Sequence, residues 1–288
     1  MARVLIAGCG YVGSSLGRML ADEGHTVWGL KRNIEGLPDG VTGIQADLTD
    51  PSSLLGLPEG LEFVFYAASA DARKDEAYVS AYVDGLQNLL NALDDRSSPV
   101  RRVFFTSSTA VYGQTNGAWV DESSPADPLH FTGERMLDAE SVVLNGPFPS
   151  TTVRLGGIYG PGRTRLLRQV YQGEARLPET RLYTNRVHRD DCAGMLVHLM
   201  EQVHPAELYL GVDHEPATLE EVLLWMAERL GVDAPPRVLS GEGGGSRKIR
   251  RSSKRCRNDR LCNTGYEFRF TSFRDGYLPV IDGFLRQH

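Results

Sequence analysis

The sequence predicts an α/β fold built on a parallel sheet, and three observations carry that prediction. Val4-Leu5-Ile6-Ala7 is a short continuous apolar run ending in glycines, as expected of a strand covered on both faces. After Gly13, Leu16, Met19 and Leu20 recur at helical spacing. A second apolar run from Thr26 to Leu30 completes a strand-helix-strand unit within about thirty residues, the length such a unit requires. The alternation continues, with strands expected at 43–46, 62–67, 102–106 and 151–155 and helices expected at 76–94, 131–144, 191–202 and 219–230. Strands alternating with helices describe a doubly wound sheet.

Beyond Tyr159 the alternation loosens, and Pro161, Pro178 and Pro205 break the chain into shorter elements. Residues 1–158 are therefore expected to form the ligand-binding sheet. Residues 159–288 are expected to be mainly a smaller substrate-side region, with some elements returning to the sheet. The composition at 241–246 predicts a flexible loop, followed by a basic stretch at 247–260.

Bulk properties exclude several classes. With 41% hydrophobic and 24% charged residues, the chain has enough apolar material for a full core and too little charge for a disordered one. Its net charge of −6 argues against nucleic acid as a partner, because phosphate binding needs a basic face. The basic stretch does not reverse that reading, since it lacks interleaved aromatic residues. Cys9, Cys192, Cys256 and Cys262 form neither the paired spacing of a zinc site nor a dense disulfide scaffold. No apolar run approaches the ~20 residues that span a bilayer. A cytoplasmic protein without a metal or membrane anchor is expected, and the sequence carries no signal of oligomeric state.

The chemistry begins at Gly8-Cys9-Gly10-Tyr11-Val12-Gly13, a G-x-G-x-x-G between an expected strand and an expected helix. In that context Gly8 permits a tight turn, Gly10 admits a pyrophosphate close to the backbone, and Gly13 lets helix and strand pack closely. The phosphates would sit on the helix N-terminus, where unpaired N–H groups favour an anion. This is the signature of a Rossmann-type, dinucleotide-binding sheet. At the end of the second strand, where an NAD enzyme places an acid for the ribose hydroxyls, the chain has Lys31 and Arg32. Two cations there would attract a 2′-phosphate, so NADP(H) is favoured over NAD(H). Asp47, beside Leu48, is placed to accept a hydrogen bond from the adenine amine, and Ala67-Ala68-Ser69 is small enough for the cofactor to lie close. Tyr11 and Val12 in the glycine turn and Ser107 at a later strand end complete the expected cofactor contacts.

Further motifs carry a family resemblance. Thr106-Ser107-Ser108-Thr109-Ala110-Val111-Tyr112-Gly113, Val153-Arg154-Leu155-Gly156-Gly157-Ile158-Tyr159-Gly160-Pro161-Gly162 and Val187-His188-Arg189-Asp190-Asp191 resemble successive signatures of the extended short-chain dehydrogenase/reductases, which include nucleotide-sugar epimerases and dehydratases. The segment from Ser253-Lys254-Arg255 to Tyr277 is similar to the closing segment of that group, so the resemblance covers nearly the whole chain. The short spacing of the first two glycines resembles the atypical, YeeZ-like branch.

The resemblance implies a catalytic Tyr four residues before a Lys, the Lys lowering the Tyr pKa for acid/base work. Aligning Leu137-Asp138-Ala139-Glu140 with the family's Leu-x-Ala-Glu puts Thr132 and Met136 at those positions. Neither residue restores an ionisable phenol or a cation, and Glu134 and Arg135 do not do so by spacing. Ser108 matches the family hydroxyl that bonds the reacting oxygen, although a strand-end cap is an equal reading of the residue. Tyr112 is a weaker proton-source candidate, alongside His130 and Tyr159. Arg154 sits at the ligand edge of the sheet, while Arg163, Asn185, Arg186 and His188 fall in segments that hold substrate in the family. Such a set suits a small ligand bearing phosphate or carboxylate. Two functions follow: an oxidoreductase or epimerase-like enzyme lacking the Tyr–Lys pair, or a non-catalytic NADP(H)-binding sensor.

Overall fold

Both faces of β1 (Arg3–Ala7) are buried, and the alternation along it divides the interior. Val4 and Ile6 pack with Leu16 and Leu20 of α1 (Tyr11–Asp22), whereas Leu5 and Ala7 join an apolar cluster on the opposite side. The computed structural model describes residues 1–94, 100–237 and 252–287. The expected loop at 241–246 and the first part of the basic stretch, 247–251, lie outside the described residues.

From α1 the chain runs through β2 (Thr26–Lys31), β3 (Val41–Gln45) and β4 (Phe63–Tyr66). Helix α2 (Asp75–Tyr78) passes through a π-helical stretch (Val79–Asp84) into α3 (Gly85–Asp94), so the helix expected at 76–94 consists of three segments. Strand β5 (Arg102–Ser108) precedes β6 (Ala118–Val120), α4 (Phe131–Leu144), β7 (Ser150–Leu155) and β8 (Gly157–Tyr159). Next come α5 (Arg165–Tyr171), β9 (Tyr183–Thr184), β10 (Arg186–His188), α6 (Arg189–Glu201) and β11 (Leu208–Gly211). The last elements are β12 (Ala217–Thr218), α7 (Leu219–Leu230), β13 (Lys254–Cys256), α8 (Asp259–Cys262) and α9 (Phe273–Leu285).

Seven strands form one sheet in the order β11-β7-β5-β4-β1-β2-β3, with every neighbouring pair parallel. This is the doubly wound α/β fold, and the strand order reverses between β1 and β4, where such sheets open a crevice. β11, from beyond residue 159, extends the sheet beside β7, and Met195, Leu196 and Leu199 of α6 share the apolar cluster of α1. The remaining strands pair in short ladders, β8 with β10, β9 with β12 and β6 with β13. A third core cluster joins Leu167 and Val170 of α5, Val222 and Met226 of α7, and Phe273 and Ile281 of α9. Helix α7 starts in a reciprocal Thr218–Glu221 capping box and ends at Gly231 with φ of 67°, both favourable terminations.

Arg154 lies near the end of β7, at the edge where a ligand contact was expected, yet its side chain turns inward and is only 6% exposed. Its Nε and Nη2 donate to the two oxygens of Glu140 at 2.9 and 2.6 Å, and its Nη1 donates to the Tyr112 hydroxyl at 2.7 Å. Ser107 Oγ adds a third donor to Glu140 at 2.6 Å. The pair thereby ties α4 to β5 and β7. Tyr112 is fully buried, donates its proton to the Asp121 carbonyl, and is pushed up to about 12 by burial. Both side chains are thus committed to the interior, which takes them away from the substrate and proton-source roles read from the sequence.

Asp213, just after β11, is 2% exposed. Its Oδ1 accepts the Glu215 N–H, whereas its Oδ2 has no hydrogen-bond partner among the described residues. Burial pushes this carboxyl up from 3.8 to about 8, outweighing the nearby Arg186.

Two stability results should follow. Arg154→Met or Glu140→Leu alone leaves a buried charge unpaired and should cost about 3–5 kcal/mol in urea denaturation, while the double variant should lose far less than the sum. For Asp213, tighter proton binding in the folded chain stabilises the fold below pH ~4, and that contribution is lost as pH rises toward 8. Asp213→Asn, which cannot ionise, should therefore gain in Tm relative to the parent between pH 5 and pH 8. An unchanged difference across that window would show that Asp213 is not the responsible group.

Candidate cofactor and substrate site

A cleft of about 500 Å³ opens over the carboxyl ends of β1 and β4, where the strand order reverses. Gly8, Gly10, Tyr11 and Val12 form one wall, and Lys31 and Arg32 arrive from the end of β2. Asp47 and Leu48 follow β3, Ala67, Ala68 and Ser69 follow β4, and Ser107 and Ser108 end β5. The fold thus brings the expected cofactor residues to one cleft, with Gly13 beneath the wall rather than on it.

The three motif glycines have separate reasons to lack a side chain. Gly8 has φ of +90°, and a Cβ there would stand 2.3 Å from the Ala68 nitrogen. A Cβ on Gly13 would stand 2.6 Å from the Gly8 carbonyl oxygen. On Gly10 it would meet nothing nearer than that same oxygen at 4.0 Å. Among the described residues the protein therefore leaves room for a side chain at position 10. Helix α1 begins there with no side chain capping it, leaving its first N–H groups to an anion.

The far end of the cleft carries mixed charge. Asp47 accepts the Thr49 N–H and hydroxyl at 2.9 and 2.8 Å, which holds its carboxyl below the usual range. Arg32 forms a two-pronged ion pair with Asp71, which lines the same cleft. At the other end, Ser108 Oγ accepts the Ala110 N–H at 3.1 Å, capping a short turn and leaving its own proton to donate. Met136 of α4 closes the floor beside it at 3% exposure, and Thr132, one turn earlier, does not line the cleft. Sequence reasoning missed Asp71 and the Ser80, Ala81 and Tyr82 wall, which the π-helical stretch presents to the cleft.

A second cavity, of about 650 Å³, shares Ile158 and Arg163 with the first. Arg165, Arg168, Tyr159 and Tyr277 also line it. Arg163 lies over the Tyr11 ring at 4.2 Å, and the Tyr11 hydroxyl donates to the Pro161 carbonyl, linking the glycine turn to the loop after β8.

The other expected substrate residues stand elsewhere. Asn185 donates to the Lys254 carbonyl and accepts the Cys256 N–H, holding β13 in place. Arg186 is buried, donates to Thr184 Oγ1 and faces the Phe273 ring. His188 caps α6 by accepting the Asp190 N–H, packs against Tyr159 and Phe270, and is held neutral by burial, with its pKa pushed down to about 4. His130 occupies the N-cap position of α4, and the Tyr159 hydroxyl donates to the Ser272 carbonyl. Among the described residues no cluster of His, Cys, Asp or Glu is arranged to hold a metal, and no helix is long and apolar enough to cross a membrane.

Comparison with known proteins agrees with this architecture. The profile of the NAD dependent epimerase/dehydratase family matches residues 4–210. Protein YeeZ of Escherichia coli K12 is 28% identical over 282 residues, covering 94% of this chain and 97% of YeeZ. A structure from Methylobacillus flagellatus is 35% identical with a TM-score of 0.81, covering 99% of both chains. The human epimerase family protein SDR39U1, solved with NADPH, shares the fold at 21% identity and a TM-score of 0.79, covering 97% of this chain and 99% of its own. A family match spanning most of the chain, with a relative 35% identical over nearly its full length, leads to one assignment: the protein belongs to the NAD-dependent epimerase/dehydratase family of the extended short-chain dehydrogenase/reductases.

Proposed function

We propose that the protein is an atypical NADP(H)-dependent oxidoreductase or epimerase-like enzyme that acts on a small phosphate- or carboxylate-bearing molecule without a Tyr–Lys pair. The observation that carries this reading is the second cavity, which shares a wall with the cofactor cleft. A sensor of dinucleotide needs one ligand site, whereas an enzyme needs an adjoining place for substrate. Among the described residues that cavity is lined by Arg163, Arg165 and Arg168 and by no carboxylate, which favours an anionic ligand. For the cofactor, Lys31 and Arg32 at the end of β2 support NADP(H).

When bound, the nicotinamide gives or accepts a hydride. The chain's residues do the rest. The open face of Gly10 and the start of α1 receive the pyrophosphate, the Ser108 hydroxyl donates a hydrogen bond to the reacting oxygen, and Arg163 holds the anionic end of the substrate. Met136 supplies no cation to the floor, so proton transfer runs without the phenol–ammonium couple of the relatives and turnover is slow.

Four outcomes test this reading. Gly10→Val should fold with unchanged Tm, since its side chain meets open space, and should lose dinucleotide binding by calorimetry. Retained affinity would refute the placement of the pyrophosphate. In turnover assays with NADPH, carbonyl compounds bearing phosphate or carboxylate should outperform neutral ones. Arg165→Gln/Arg168→Gln should raise their KM about tenfold without altering cofactor affinity. Thr132→Tyr/Met136→Lys should raise kcat by roughly 100-fold if the pocket has kept the family geometry. Dinucleotide binding with no turnover on a broad panel, even in that double variant, would favour a sensor.

A further inference from the structure

At the mouth of the cofactor cleft one ion pair joins the end of β2 to the loop after β4. Arg32 Nη1 donates to Asp71 Oδ2 at 2.7 Å and Nη2 to Oδ1 at 2.6 Å, so the guanidinium fork is fully matched to one carboxylate. Both side chains line the cleft, and both are more than half exposed, at 61% and 66%. The contact holds the Asp71 carboxyl below its usual range. Lys31 and Asp47 line the same cleft, and Asp47 acts electrostatically on Arg32 and Asp71, so two carboxylates offset the two cations that follow β2. A 2′-phosphate, carrying a charge of about −1.5 to −2, meets a locus whose formal charge is balanced rather than positive.

We propose that Asp71 is a selectivity-determining residue, competing with a 2′-phosphate for the Arg32 guanidinium and so holding the preference for NADP(H) below the level that Lys31 and Arg32 alone would set. The proposal rests on the reading of Arg32 as a 2′-phosphate contact. An exposed pair is weak and salt-sensitive, so a dianionic phosphate displaces it. The freed carboxylate then opposes the phosphate from the same cleft wall. NADH has a neutral 2′-hydroxyl, leaves the bridge in place and can donate to Asp71. Discrimination between the dinucleotides is therefore a difference between two occupants of one fork, not a property of Arg32 alone.

The test is the ratio of NADPH to NADH dissociation constants, measured by calorimetry on the full chain at two salt concentrations. The set is the parent, Asp71→Asn, Arg32→Gln and the double variant, with Tm confirming folding. Asp71→Asn should tighten NADPH about three- to tenfold while changing NADH less than about twofold. The gain should shrink at high salt and vanish in the Arg32→Gln background. An equal weakening of both dinucleotides in Asp71→Asn would overturn the proposal, because it would make Asp71 a support for Arg32 on the shared adenosine. An equal gain with and without Arg32 would also overturn it, leaving only bulk repulsion. If Arg32→Gln leaves NADPH affinity untouched, both the proposal and the 2′-phosphate reading fall. A parent chain that prefers NADH, with Asp71→Asn still shifting the ratio through Arg32, would sustain the proposal while removing the NADP(H) preference.

Discussion

The backbone of Gly8 approaches that of Ala67 and Ala68 so closely that no side chain fits between them, and the shape of the cleft depends on this contact. Where strand order reverses, the turns leaving β1 and β4 depart to opposite sides, and the gap between them stays narrow only if both turns are flat. Gly8 flattens one, and the run of small residues after β4 flattens the other. Gly13 then seats α1 against the Gly8 carbonyl and Ile6, directing the helix N-terminus at the gap. With β2 and β3 in parallel register beside β1, Lys31, Arg32 and Asp47 necessarily emerge at the same edge.

Beneath the opposite end, the Arg154–Glu140 pair with Ser107 and Tyr112 forms a polar floor that is almost completely satisfied within the protein. Charges this deep are tolerated because their donors and acceptors are matched, and such matching leaves little freedom to move. Ser107 is consumed from below, so Ser108 is the hydroxyl of that strand end with a proton still to give. The cleft accordingly has unlike ends: a balanced, solvent-facing cluster of charges near β2, and an end beside Met136 without carboxylates among its described lining, where Arg163 adjoins the second cavity.

Much of this was readable in the residues. The expected helices at 131–144 and 219–230 coincide with α4 and α7, and the glycine turn, Lys31, Asp47 and the Ala67-Ala68-Ser69 run all reach the cleft. The two- and three-residue ladders were not legible, because they pair segments far apart in the chain and are too short to show a period. Arg154 was placed at the right edge with the wrong direction. All of β7 is buried, so alternation gives no sign of which way a side chain points, and the partner that draws Arg154 inward sits on α4. Asp71 stands 39 residues from Arg32 in a loop without pattern, so counting Lys31 and Arg32 as an unopposed positive pair overlooked a carboxylate that only the folded chain delivers.

The π-helical stretch at Val79–Asp84 bears on how such a cleft diversifies. A π turn holds an additional residue, so the side chains before and after it are out of phase by about 100° compared with a continuous α-helix. Leu86, Leu89, Leu90 and Leu93 keep their apolar stripe against the sheet, while Ser80, Ala81 and Tyr82 face the ligand space. The Tyr66 hydroxyl holds the widened turn by donating to the Ala81 carbonyl. Loss of one residue here would remove the phase slip and present different side chains to the cleft, leaving the anchoring stripe intact. Insertion and deletion at a single helical turn thus offer a lineage a way to exchange ligands without altering the sheet or the glycine turn.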